Sequence, residues 1–426
     1  MMQALAARLD DWLACRELRE DARARLACAA LLLFYCDTFN GWYFKSFLSA
    51  EAAWSLNHLP SWVFDPVGGP ALMSLFWTRL YLSMLFLLAL GGVLLLFRKA
   101  ALAPVLILAF LLANKGYFYF SDLRLVNDAH QVHLILTLVF LAAREKVFFV
   151  RLALAVCYFL FACARLSPPG LETATAASLA AAAWQLLGPL LWLAPAKSLR
   201  CLSVAGLAAL HASAAPPGGL QGAILMLPML FGAFWGFDRP VHAGCRFSRA
   251  QLPGWAALGA VALAGLWHFA IPGDVRLTGE GRLLGFSVPG RGVDKSCRVS
   301  LHMGEGRRLV FTVDWPAQER ARYSGEVYRG DALVDRLPPD VVVRADGRAL
   351  WNPAVFLSLP AHAVEPYLLY SYGRRLCRDY RPERLDLEFS ARVGPRGRAA
   401  SVALEDFCRV GPAYRPFWRN AWIQLP

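Results

Sequence analysis

Residues 108–141, LAFLLANKGYFYFSDLRLVNDAHQVHLILTLVFL, decide how the rest of the chain is read. Two apolar runs meet there at a short polar junction holding Lys115, Asp122, Arg124, Asn127, Asp128, His130 and His133. Ionisable groups near a helix end or deep in a bilayer are costly, so such a cluster marks a functional site by default. Tyr117, Phe118 and Tyr119, just ahead of it, suit the interfacial level of a membrane. The same residues also fit a wet loop between two helices.

Working outward, apolar runs fall at about 26–48, 72–97, 101–120, 127–143, 147–164, 176–195, 199–214, 220–237 and 254–271. Several are shorter than the roughly 20 residues a perpendicular span needs, so seven to nine spans are expected, some of them kinked or re-entrant. With 57% hydrophobic residues and 14 Trp, the composition is that of an integral membrane protein. Arg and Lys collect before the first run, at Arg98–Lys99, at Arg144–Lys146, at Lys197–Arg200 and at Arg239–Arg249, and the alternate loops are nearly free of them. That alternation places the N-terminus in the cytoplasm and the chain beyond about 272 outside an inner or plasma membrane. The net charge of +13 is therefore topological. It is split between 20 basic against 13 acidic residues in 1–272 and 24 against 18 beyond, with no stripe suited to nucleic acid.

The two ends differ in kind. Residues 1–25 lack the apolar core of a signal peptide. Leu5, Leu9, Trp12 and Leu13 share one helical face, which predicts an amphipathic helix on the cytoplasmic membrane surface or a soluble helical cap. From 273 onward LLGFSV, CRVSLHM, RLVFTVDW, DVVVRA and LDLEFSARV read as strands, with one helix at 361–378. The expected fold is thus an N-terminal helix (1–25), a polytopic helical domain (26–272) and an extracytoplasmic β-rich α+β domain (273–426).

Ten cysteines divide by place. Cys28, Cys36, Cys157, Cys163 and Cys201 are packing residues in or beside apolar runs, and Cys15 and Cys245 face the reducing side. Cys297, Cys377 and Cys408 lie outside, where at most one pair forms and the spacing leaves the pairing open.

Asp128, His130 and His133 give a D-x-H-x-x-H spacing that puts both imidazoles on one face. No third ligand accompanies them, so a proton relay or polar helix-end residues are favoured over a metal. His211, alone in LAALHASAA, reads as a hydrogen-bonded core histidine. Asp37, at the outer end of the first run, is an interfacial residue or a partner for Lys45 or another cation. Zinc-protease, P-loop, nucleophile-elbow and C-x-x-C patterns do not occur, which removes the usual support for hydrolysis and nucleotide-driven transport.

Taken together, LFYCDTFN, the long segment LLALGGVLLLFRKAALAPVLILAFLLANKGYFYFSDLRLVNDAH, LHASAAPPGGLQGAILMLPML, YGRRLCRD and the closing GPAYRPFWRNAWIQLP run in one order along the chain. That order resembles the vitamin K-dependent γ-glutamyl carboxylases and the wider bacterial family with a horizontally transferred transmembrane (HTTM) domain. The resemblance implies a reduced quinone of the vitamin K or menaquinol type and a peptide substrate. It also implies a lysine that starts the chemistry by deprotonating the quinol, since an ammonium in an apolar site gives up its proton readily. At the matching place, FACARLSPPG, this chain carries Arg165, whose guanidinium stays protonated even when buried. Lys115 or Lys45 is then the replacement base, and Arg165 suits an anion.

The expected site therefore has Arg165, Lys115, His130 and His211 for chemistry. Asp122, Asn127, His133 and Asp37 surround the cofactor. No metal is predicted. The function expected is quinol-linked, carboxylase-like modification of a secreted or membrane-adjacent peptide. The alternative is a non-catalytic maturation or immunity partner of an exported peptide.

Overall fold

Each long apolar run carries a helix among its described residues, as its length, beyond that of an ordinary strand, favours. The computed structural model describes residues 2–46, 83–121, 128–167, 171, 175–214, 220–236, 240–241, 248–271, 277, 293–316, 321–338, 343–345, 348–351, 366–393, 399–411, 415 and 418–424. The chain divides into two compact units, one holding the helices up to Leu266 and the other everything from Trp267 on.

In the first unit α1 (Met2–Trp12), α2 (Arg16–Glu20) and α3 (Ala22–Ser46) are followed by α4 (Ser83–Leu94) and a 3₁₀ turn at Arg98–Ala100. Then come α5 (Leu102–Ser121), α6 (Asp128–Ala142), α7 (Lys146–Leu166), α8 (Ala176–Leu191), α9 (Lys197–Ala214), α10 (Leu220–Phe234) and α11 (Leu252–Ala270). Residues 1–25, read above as one amphipathic helix, are broken after Trp12, where Ala14 takes a left-handed φ of 48°. Among the described residues two helices, Lys146–Leu166 and Arg249–Trp267, are long and apolar enough to cross a membrane. Five further apolar helices are shorter.

The helix ends have local causes. Thr175 and Ser178 form a capping box that starts α8. Glu17 of α2 accepts the main-chain N–H groups of Lys146 and, at 3.1 Å, Val147, so a carboxylate satisfies the first turn of α7. Lys146 Nζ reaches back to the carbonyls of Phe140 (2.8 Å) and Ala143 (3.1 Å), capping the end of α6. One residue pair thus closes two helix ends. Burial pushes the Glu17 carboxyl above its ordinary value, against the pull of those two N–H groups. In the interior α3 and α10 touch backbone to backbone at Gly232, where a Cβ would come within 2.9 Å of the Leu26 carbonyl carbon.

The second unit is an antiparallel sheet of order β4-β3-β2-β1-β7-β8. Its strands are β1 (Val293–Met303), β2 (Arg307–Trp315), β3 (Arg322–Arg329), β4 (Ala332–Leu337), β7 (Arg384–Val393) and β8 (Ala399–Leu404). A separate hairpin pairs β5 (Val343–Ala345) with β6 (Arg348–Trp351). Alternation along β1 buries Val293, Cys297, Val299 and Leu301 and turns Asp294 and Arg298 outward. Helix α12 (Pro366–Tyr380) packs on β7 and buries Leu369, Tyr372 and Leu376. Gly373 permits the approach, since a Cβ there would meet Leu387 at 2.5 Å. A disulfide joins Cys377 of α12 to Cys408 of the short α13 (Phe407–Val410) and leaves Cys297 as a buried thiol. This settles the open pairing, which spacing could not. Strand LLGFSV lies outside the described residues, and β3, β4, β6 and β8 are additions to the expected set.

Candidate functional site

Three helices bring the first polar group together. Lys115 is on α5, His130 and His133 are on α6, and Phe34 and Tyr35 come from α3. Lys115 Nζ lies 2.7 Å from His133 Nδ1, and His133 Nε2 lies 2.9 Å from the carbonyl oxygen of Leu31. A carbonyl only accepts, so Nε2 carries the hydrogen and Nδ1 accepts from the lysine; the contacts fix the tautomer. The amine sits over the faces of Phe34 (4.7 Å to the centroid) and Tyr35 (5.4 Å), and the Tyr35 ring meets His133 edge-on at 4.4 Å. Lys115 and His133 are 1% and 0% exposed, so their mutual geometry is set by the protein alone. His130, one turn away, is buried against Phe34 at 5.4 Å.

A second group forms elsewhere in the bundle. Tyr158 Oη of α7 is 3.0 Å from His211 Nε2 of α9, with Trp192 stacked edge-on against the phenol at 6.3 Å. Arg165 stands two turns beyond Tyr158 on α7, and its charge acts on His211. His211 is thus the hydrogen-bonded interior histidine expected of it.

The four residues assigned to chemistry divide into two pairs, Lys115 with His130 and Arg165 with His211. Lys115 meets His133, one of the residues expected around the cofactor, and His211 meets Tyr158, which was not among the expected residues. Of the cofactor set, His133 is the direct partner of Lys115. Asp37 lies on α3, with only its backbone described. Asp122 and Asn127 lie outside the described residues. No family profile, curated protein or solved structure matches the chain. Among the described residues no three His, Cys, Asp or Glu side chains converge as a metal set.

Sequence reading missed Tyr158, Phe34 and Tyr35. The only signal for Tyr158 was its position seven residues before Arg165, which puts both on one helical face. Phe34 and Tyr35 look like ordinary core residues until the lysine is placed above them. On α5, one residue before Lys115 and so on a different helical face, the Asn114 Oδ1 is buried and has no hydrogen-bond partner among the described residues. A buried acceptor left open in this way has a reason, such as a bound donor.

Proposed function

We propose that the helical unit is a polytopic membrane domain in which Lys115 and His133 act as a proton-accepting pair toward a weakly acidic, lipophilic ring compound of the quinol class. The chain would thereby belong with the carboxylase-like and HTTM-type proteins that its sequence resembles. The observation that carries this reading is the 2.7 Å contact between Lys115 Nζ and His133 Nδ1 among aromatic rings. A membrane setting is supported by large apolar side chains left exposed on several helices, among them Phe86, Val93, Phe159, Leu187, Leu202 and Leu263.

The residues present fit such a ligand: an amine to take a proton and flat rings to stack against. A bound quinol would supply reducing equivalents. For its part, Lys115 Nζ receives and holds the proton, and His133 Nδ1 accepts a hydrogen bond from the resulting ammonium. The Leu31 carbonyl keeps the imidazole in the tautomer able to do so. Arg165 cannot take the family lysine's part, so carboxylation is assigned no base at that position. The sheet unit, in this reading, presents an exported or membrane-adjacent peptide.

The test is direct. Protein purified in mild detergent should release a quinone into organic solvent, and Lys115→Met and His133→Asn should each lower retention at least tenfold while remaining folded by thermal shift. Wild-type protein that neither carries a quinone nor binds added menadiol would end this reading. A second reading, a non-catalytic maturation or immunity partner of an exported peptide, is favoured by one feature: both His133 nitrogens are already engaged inside the bundle. It predicts that a co-expressed peptide is bound with its mass unchanged.

A further inference from the structure

At one end of the helical unit, two stretches far apart in sequence present the same chemistry. On α1, Leu5, Arg8 and Trp12 form a single stripe at i, i+3 and i+7, with Leu5 58% and Trp12 71% exposed. After α4, Leu96 (80% exposed) and Phe97 (59% exposed) lead directly into exposed Arg98 and Lys99. Both stretches adjoin α2. Helix α2 packs against the Arg98–Ala100 turn, and Arg19 of α2 forks the Asp10 carboxylate of α1.

Charge pairing within this end is selective. Asp10 is held by Arg19, Asp11 by Arg144 at 3.3 Å, Glu20 by Arg16 and Asp21 by Arg23, both at 2.8 Å. Glu17 is spent on the first turn of α7. Every acid of α1 and α2 is therefore engaged within the protein. By contrast, Arg8, Arg98 and Lys99 have no acidic partner among the described residues. What remains for an external partner is a cationic surface carrying four large, exposed apolar side chains.

We infer that Leu5, Arg8, Trp12, Leu96, Phe97, Arg98 and Lys99 form a docking surface for an anionic phospholipid leaflet. The apolar side chains enter the acyl boundary, and the three cations take phosphate groups. Both halves are needed. Apolar insertion alone does not distinguish lipids, and three cations alone bind weakly and lose to salt. The inference rests on the membrane reading of the helical unit and adds to it a lipid class, an orientation and the residues that select it. Because the surface is built from α1 and the turn after α4 together, α1 serves as more than a cap: it supplies half of the lipid contact.

The experiment uses the full chain in detergent, with phosphatidylglycerol or phosphatidylcholine added and thermal unfolding recorded. Phosphatidylglycerol should stabilise the wild-type protein and phosphatidylcholine should not, and the gain should shrink with added salt. Each cation removed should weaken apparent phosphatidylglycerol affinity roughly fivefold, in line with about 1 kcal/mol per surface cation. The triple variant Arg8→Gln, Arg98→Gln, Lys99→Gln should thus lose the selective response. With brominated phosphatidylglycerol, Trp12→Phe should remove a measurable part of the quenched tryptophan signal. Equal responses to the two lipids, or an undiminished response in the triple variant, would overturn the inference. A chain that stays soluble without detergent would instead overturn the membrane reading, so the two failures are told apart.

Discussion

Lys115 Nζ and His133 Nδ1 are 2.7 Å apart in a part of the bundle where both side chains are buried, although 18 residues separate them along the chain. The pair joins α5 to α6, and the Nε2 hydrogen of His133 extends the join to α3 through Leu31. Three helices are therefore registered by one imidazole.

That arrangement predicts a coupled cost. Lys115→Met leaves His133 Nδ1 buried without its donor and should destabilise the protein by about 1–3 kcal/mol. Combining it with His133→Leu, which removes the stranded acceptor, should cost clearly less than the sum of the two single changes. Thermal unfolding of the four proteins in one detergent measures the cycle. Additive costs would mean that the pair carries no interaction energy.

Glu17 gives a pH dependence of definite sign. Burial raises its folded-state pKa above the ordinary 4.5, so the folded protein favours the protonated carboxyl. Its contribution to stability is therefore complete below 4.5 and is lost as pH rises through the folded value. The stability of the wild type relative to Glu17→Gln should fall across that window. A difference that stays flat with pH, or rises, would contradict the buried placement of this carboxylate at the start of α7.

Asp386 runs the other way. Burial alone would raise its pKa, but Arg384 and the main-chain N–H of Asp406 outweigh that and hold it below 3.8. Its contribution is present above 3.8 and lost as pH falls through the folded value. Asp386→Asn should remove that acid sensitivity from the sheet unit, read as protease susceptibility of the full chain against pH.

The disulfide makes a compartment prediction. Cys377–Cys408 closes a segment with a sequence separation of 31, a constraint worth roughly 3–4 kcal/mol in the chain-entropy account. Cys408→Ser should lower the unfolding temperature of the sheet unit. In purified wild-type protein, Cys377 and Cys408 should resist alkylation until reduced. Cys297, whose thiol burial pushes up to about 12, should resist it until unfolded.

Much of the fold was legible because it depends on composition over short windows. The nine apolar runs became helices, and alternation in 297–303, 308–315 and 385–393 became the three central strands. Strands β3 and β4 were harder to see. The first is interrupted by Gly325, and the second is exposed along nearly its whole length, so neither shows the alternation of a half-buried strand. The break after Trp12 was invisible because it rests on one residue, Ala14, taking a left-handed conformation that its type does not announce.

By itself, then, the sequence determined which segments are helix and strand, the separation into a helical and a sheet-bearing part, and Lys115, His130, His133 and His211 as polar residues in apolar surroundings. Tertiary structure alone decided that Lys115 meets His133, that Tyr158 meets His211, that Glu17 caps α7 and that Cys377 takes Cys408. The reason is one of range. Secondary structure follows from periodicities a few residues long, whereas these contacts depend on how helices and strands are rotated and stacked, which no local spacing encodes.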